Sequence, residues 1–316
     1  SLLGYYISAV IIGIGYGCCS TIPVCLLIAA WFRKRRGTAV GIAYAGSGMA
    51  AILFSPVLMS ITVNYGLAKA FLFQSICIAV LTFATFLLIR NGPADKGITP
   101  YGQNETEKQI DEKNESIQSD IVFTEDFLTR RHYIMLLAII TLGAAVQPVV
   151  THFPTFMISV GYEPHFTASL VSIYGFTMVL GKTMYGLVID RLGGYGANFI
   201  IFPLWLLTIA LSFVAGKGVT AAYLFAALLG MGPALATVSL PIWTGDLFRK
   251  ESFAAILTSI QITLNLGSSI GVVLMGLLFD LTGEYRVSFS LTFLFVMITF
   301  ICMQGLYRTN AVNEKK

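Results

Sequence analysis

The sequence predicts an all-α membrane protein that crosses the bilayer about nine times. Three observations carry that expectation. Hydrophobic residues fill 56% of the 316 positions and charged residues only 11%, against roughly 25% charged in soluble domains. Apolar windows of about 20 residues, the length a helix needs to cross the hydrocarbon core, recur along the chain. Lys and Arg gather in alternate gaps between those windows.

The first window, 6–32, holds Cys18, Cys19 and Cys25 together with the polar Tyr16 and Ser20. The second, 38–62, opens behind the run Arg33-Lys34-Arg35-Arg36, and the third, 69–90, closes at Arg90. Residues 91–131 are of another kind. They are polar and carry nine of the sixteen acidic residues, from Asp95 to Asp126, which marks a solvated loop or short surface helix. Six further windows follow, at 133–158, 166–188, 196–215, 219–245, 253–280 and 287–307. The expected organisation is a helical part over 1–90, a loop over 91–131 and a six-helix part over 132–316.

Nine spans place the two termini on opposite sides. Sixteen of the twenty Lys and Arg residues then fall in one set of gaps. The other set holds Lys69, Lys217 and Arg286. Positive charge marks the cytoplasmic side, so the 91–131 loop and the C-terminus are expected there, with the protein in the cytoplasmic membrane. The chain starts at Ser1, at the edge of an apolar run, with no basic leader and cleavage site. The expectation is that the start of a longer protein precedes it.

Several function classes find no support. No Cys and His pair has zinc spacing, so no metal or cofactor is expected, and the five cysteines read as small apolar residues. The sequence lacks a phosphate-binding G-x-x-x-x-G-K-[ST] loop and a nucleophile elbow. The basic runs lack an interleaved aromatic platform for nucleic acid. An enzyme is therefore not expected, and the bilayer is the expected surrounding.

Two stretches carry a family resemblance. Gly186-Leu187-Val188-Ile189-Asp190-Arg191-Leu192-Gly193-Gly194 resembles the G-x-x-x-D-R-x-G signature of the major facilitator superfamily. In that superfamily a weaker copy of the signature joins helices 8 and 9. Here it follows the fifth window, so the resemblance implies helices 4–12 of a 6 + 6 arrangement. Gly186 permits close packing, and Asp190 is expected to meet a neighbouring helix terminus, where charge meets dipole. Arg191 and Gly193 complete the motif. The second stretch runs from Trp31 and Phe32 through the basic cluster to Gly37, Gly41 and Gly46. It resembles the helix 4–5 hairpin of monocarboxylate transporters and of the oxalate:formate antiporter family, with Thr38 standing where leucine is usual.

Lys182 is the one formal charge deep in a window. Eight residues, about 12 Å of helix, separate it from Asp190, which puts its backbone near the midplane of a core about 30 Å thick. A cation there costs roughly 2.5–3.5 kcal/mol on insertion scales, so something must compensate it. Three readings stand: a bound anion in a wet cavity, a snorkelling side chain, or a contact to a helix carbonyl. The resemblance favours the anion, because carboxylate-transporting relatives place an arginine in a G-R-x-x-x-G context of helix 8. Here the context is Gly181-Lys182 through Gly186. Lysine keeps the charge and loses the planar fork. Met178 stands where animal monocarboxylate transporters have an aspartate, and the expected helix 11 lacks the antiporter's second cation.

Weaker candidates complete the expectation. His152, near Gln147 and Thr151, titrates close to physiological pH. Gln261, Asn265 and Ser268 share one helix face, which lines a cavity or bonds a partner helix. Tyr174 lies two turns from Lys182, on what reads as the same face. The resemblance implies a secondary transporter for a small organic anion, monocarboxylate-like, working by alternating access. A proton or a counter-transported anion would be its coupling partner. The alternatives are a facilitator for another solute, such as a sugar or drug, and a non-transporting membrane protein.

Overall fold

The computed structural model describes residues 2–19, 21–90, 92–93, 97–102, 127 and 129–313. Ser20 and the acidic stretch from Glu105 to Asp126 lie outside the described residues, as does the side chain of Tyr16. The described residues are helical almost throughout and include no strand beyond one isolated bridge. In chain order the helices are α1 (Leu2–Cys19), α2 (Thr21–Trp31), α3 (Arg36–Tyr65) and α4 (Leu67–Leu88). Then come α5 (Arg130–Ser159), α6 (Pro164–Ser212), α7 (Val219–Met231), α8 (Pro233–Thr237) and α9 (Ser239–Leu247). The last two are α10 (Phe253–Thr282) and α11 (Arg286–Asn313).

Seven stretches among the described residues are long and apolar enough to span a bilayer, where the sequence predicts about nine. Two local features make the difference. The predicted spans 166–188 and 196–215 fuse into α6, whose 49 residues would measure about 74 Å at 1.5 Å per residue. That is more than twice the hydrocarbon thickness, so α6 holds two spans. The chain turns between them at Gly193, whose φ of 70° and ψ of 171° lie outside the helical range; glycine takes that geometry without a Cβ penalty. At the other position the predicted span 6–32 is represented by two shorter helices, α1 and α2, on either side of Ser20.

Three short helices, α7 to α9, form one stretch from Val219 to Leu247. Gly232 and Val238 between them keep right-handed helical angles. The ladder is interrupted because Pro233 and Pro241 have no N–H to donate. Thr129 caps α5 by accepting the His132 N–H on its hydroxyl at 3.3 Å. Gly283, at φ 72°, ends α10 and donates to the Phe279 carbonyl at 2.7 Å.

The core lies among α5, α6, α7–α9, α10 and α11. Met135, Leu142, Phe202, Trp205, Phe225 and Trp243 are all within 1% of full burial. Helix α4 instead buries only Ala70 among its described side chains and shows Phe71, Leu72, Phe83 and Phe86 outward. Apolar exposure on that scale suits lipid rather than water.

The basic turns converge on one end of the bundle. Arg33, Arg35 and Arg36, together with Asp190, Gly193, Gly194 and Asp246, line one cavity there. The start of α5 joins the same end through the edge-on contact of His132 with Phe248, and α11 through the Tyr307 hydroxyl on Asp246 at 2.7 Å. This is called the basic end below.

Candidate functional site

Helices α3 and α6 run antiparallel in close contact, and Lys182, Gly186 and Asp190 all meet α3 along that seam. A Cβ at Gly37 would lie 2.7 Å from the Gly186 carbonyl, and one at Gly41 would lie 2.5 Å from the Lys182 carbonyl. A Cβ at Gly48 would meet the Val179 side chain at 2.7 Å. Small residues at these steps let two backbones approach, as in membrane helix pairs generally.

Asp190 sits where the seam meets the basic end. Its carboxylate accepts the Gly37 N–H at 2.9 Å and the Thr38 N–H at 2.8 Å, and the Thr38 hydroxyl donates to it as well. Those two N–H groups belong to the first turn of α3, which has no intrahelical acceptor for them. Residue 35, the N-cap of α3, provides no side-chain cap, so the cap comes from α6, 152 residues away in sequence. The carboxylate also faces the positive end of the α3 dipole. Threonine at position 38 therefore adds a donor that leucine would lack. Gly186 is where a Cβ would run into the Gly37 carbonyl. Arg191 is exposed, and Gly193 provides the turn.

Lys182 lies in the middle of the seam and is 4% exposed. Its ammonium donates to the Ser47 hydroxyl at 2.7 Å and to the Tyr44 carbonyl at 3.3 Å, both on α3. Those acceptors are 8 and 11 residues beyond the start of α3 at Arg36, about 12 and 17 Å along the helix. The side chain therefore reaches across the seam at depth and does not snorkel to the basic end. Both acceptors are neutral, and among the described residues no carboxylate pairs with this ammonium.

The other candidates do not converge on it. The Tyr174 hydroxyl donates to the Met178 sulfur at 3.5 Å, and its ring packs on Phe153 of α5 with the centroids 6.1 Å apart. Eight residues on a helix turn through about 80° net, so Tyr174 and Lys182 serve different neighbours and not the single face read from the sequence. His152 joins α5 to the far end of α10. Its Nε2 is 3.1 Å from the Val272 carbonyl and its Nδ1 3.4 Å from the Tyr285 hydroxyl. A carbonyl only accepts, so Nε2 donates to Val272, and Nδ1 pairs with the Tyr285 hydroxyl. Burial pushes the Tyr285 phenol above its ordinary range, and the Asp280 carboxylate adds to the effect, so Tyr285 stays a donor.

Gln261 and Asn265 do share a face of α10, with the Gln261 amide donating to the Asn265 carbonyl oxygen at 3.4 Å. Gln261 is 8% exposed and its Oε1 has no partner among the described residues, whereas Asn265 is exposed. Sequence reasoning missed Ser47 and Tyr44. Ser47 is polar and one turn from Tyr44, but nothing in the local pattern says that a lysine 135 residues on will reach it.

The sequence model of the Major Facilitator Superfamily matches residues 1–204 and again 159–316, which together cover the chain. The chain belongs to the Major Facilitator Superfamily. As a facilitator it is similar to monocarboxylate transporter 12 of Mus musculus, 23% identical over 324 aligned residues, covering 92% of this chain and 64% of the relative. It is also similar to MFS-type transporter 1 of an Ophiocordyceps species, at 26% identity over 72% of this chain and 46% of the relative. A third relative is the probable transporter MCH2 of Saccharomyces cerevisiae, at 24% identity over 72% and 45%. The facilitator chain thus spans about half to two thirds of the length of these relatives, which are transporters and not enzymes by name.

Proposed function

We propose that the protein is a secondary transporter that moves a small organic anion, monocarboxylate-like, across the cytoplasmic membrane by alternating access. The observation that carries this reading is the Lys182 ammonium, buried at mid-span and bonded, among the described residues, to a serine hydroxyl and a backbone carbonyl. Burying a charge without a counter-charge is costly. A carboxylate arriving at Lys182 supplies the missing charge, and its departure restores the bonds to Tyr44 and Ser47. The exchange of partners sits on the α3–α6 seam, so anion binding and seam geometry are coupled there. Mouse monocarboxylate transporter 12, by its name, is in keeping with this substrate class.

In this reading the basic end faces the cytoplasm, following the positive-inside rule. His152, Tyr174, Gln261 and Asn265 shape or gate the path. Met178 is buried beside Tyr174 and cannot exchange a proton, so any proton coupling runs through other groups.

One observation favours a second reading. The two bonds from Lys182 already fasten α6 to α3, which suits a permanent clasp. Labelled lactate uptake separates the two in proteoliposomes holding the whole protein. A substrate site loses uptake in Lys182→Gln and recovers it in Lys182→Arg. A clasp loses thermal stability in both Lys182→Gln and Ser47→Ala, with uptake by the surviving folded protein unchanged.

A further inference from the structure

Tyr195 and Phe202, on the second span of α6, pack against Tyr307 and Phe300 of α11, with ring centroids 5.8 and 5.3 Å apart. The two helices run antiparallel there, and the spacing fixes what lies between the two contacts. Asn198 is three residues from Tyr195 and four from Phe202, and Gln304 is three from Tyr307 and four from Phe300. Residues at those steps share a helix face, so the two amides stand opposite each other at one level. The Tyr195–Tyr307 pair closes the space toward the basic end, and the Phe202–Phe300 pair closes it further in. Trp243 of α9 forms another wall. Its indole N–H donates to the Asn198 Oδ1 at 3.1 Å, and its ring stacks on Phe202.

Asn198 is fully buried and Gln304 is 7% exposed. Even so, the Asn198 Nδ2 and both polar atoms of the Gln304 amide have no partner among the described residues. Buried amides are almost always bonded, and leaving one bare is costly. Trp243 already holds the Asn198 Oδ1, so the unmet groups are two NH2 donors and one carbonyl acceptor. An ion would be buried among these groups with no opposite charge. Water suits them, because it accepts from both amides and donates to the carbonyl, and such groups are the usual partners of buried water.

We propose that the space between the Asn198 and Gln304 amides is a binding site for water, which accepts from Asn198 Nδ2 and Gln304 Nε2 and donates to Gln304 Oε1. The bound water joins the second span of α6 to α11, and through Asn198 to Trp243 of α9, five residues beyond the turn at Gly193. The site lies within the six-helix part of the chain and is independent of the solute transported.

The test is X-ray radiolytic labelling of the full chain in nanodiscs, in which hydroxyl radicals formed from bound water oxidise the side chains beside it. Trp243 and Phe225 are compared, each corrected for its intrinsic reactivity. Both are within 1% of full burial, but Phe225 packs among the rings of Phe153, Phe156 and Phe289. The expected result in the parent is oxidation of Trp243 well above that of Phe225. Gln304→Met keeps the length of the side chain and removes its polar atoms. In that variant Trp243 oxidation should fall to the level of Phe225, in protein that stays monodisperse. Oxidation of Trp243 no higher than that of Phe225 in the parent overturns the proposal, and that comparison needs no variant. Oxidation of Trp243 that survives in folded Gln304→Met also overturns it, since the radicals would then reach the indole from elsewhere.

Discussion

Thr38 donates both its backbone N–H, at 2.8 Å, and its hydroxyl to the carboxylate of Asp190. The two residues are 152 positions apart, on different helices, and together they close the basic end of the seam. A helix that lacks a cap of its own is completed by the motif acid of another helix. In this way the G-x-x-x-D-R-x-G turn acts on α3 as well as on α6.

Removing that cap tests its weight. Asp190→Asn keeps one acceptor and loses the charge facing the α3 dipole, with an expected cost of about 1 kcal/mol. Thr38→Leu loses only the hydroxyl, with an expected cost of about 0.5–1 kcal/mol. Thermal unfolding in detergent, followed by the loss of soluble monodisperse protein, should rank Asp190→Asn below Thr38→Leu and both below the parent. Equal stability of all three would remove the cap from the account of the seam.

The glycines of α3 provide an internally controlled pair. A Cβ at Gly41 would come within 2.5 Å of the Lys182 carbonyl, whereas at Gly46 it would meet nothing within 4 Å. Gly41→Ala is expected to destabilise by about 1–3 kcal/mol through overpacking and to depress uptake sharply. Gly46→Ala should be neutral or slightly stabilising, because alanine is the better helix former. Melting temperatures of the two variants decide the matter, and matched values would mean that the seam is looser than the contacts indicate.

Gln261 separates a structural role from a functional one. Its buried Oε1 has no partner among the described residues, so Gln261→Leu should cost nothing in stability and can even add some. If the side chain lines the anion path, initial uptake falls in a variant that melts no lower than the parent. Unchanged uptake would return Gln261 to packing.

At the opposite end from the basic cluster, His152 holds α10 and the turn into α11 through Val272 and Tyr285. His152→Phe removes both bonds and is expected to cost about 1–2 kcal/mol. Tyr285→Phe removes the longer bond alone and should cost about half as much. Unfolding midpoints in the reverse order would contradict the weight given to the His152 bonds.

Much of this arrangement was legible in the sequence because bilayer solvation imposes it. Long apolar runs had to become helices, and the basic gaps between them do gather at one end of the bundle. The turn at Gly193 was readable as a motif. Its effect was not, since a single residue with φ near 70° leaves the two flanking spans continuous in every other respect. The path of Val219–Leu247 was readable in length but not in its interruptions, which follow from the missing proline donors. The least legible feature was the company of Lys182. Its charge and depth followed from counting residues, but its partners are a serine and a backbone carbonyl on a distant helix, and a carbonyl leaves no mark in a sequence. The same is true of Tyr101, whose backbone bonds to Trp31, Arg33 and Lys34 tie the start of the polar loop beside the basic run.

The most direct measurement is uptake of labelled lactate, formate and oxalate into proteoliposomes containing the whole protein, with and without a pH gradient, for the parent, Lys182→Gln and Lys182→Arg. Saturable uptake of a monocarboxylate is expected in the parent, with at least a tenfold fall in Lys182→Gln, equivalent to about 1.4 kcal/mol of lost transition-state stabilisation, and recovery in Lys182→Arg. Uptake by folded Lys182→Gln equal to that of the parent would contradict the account and leave Lys182 as a clasp between α3 and α6.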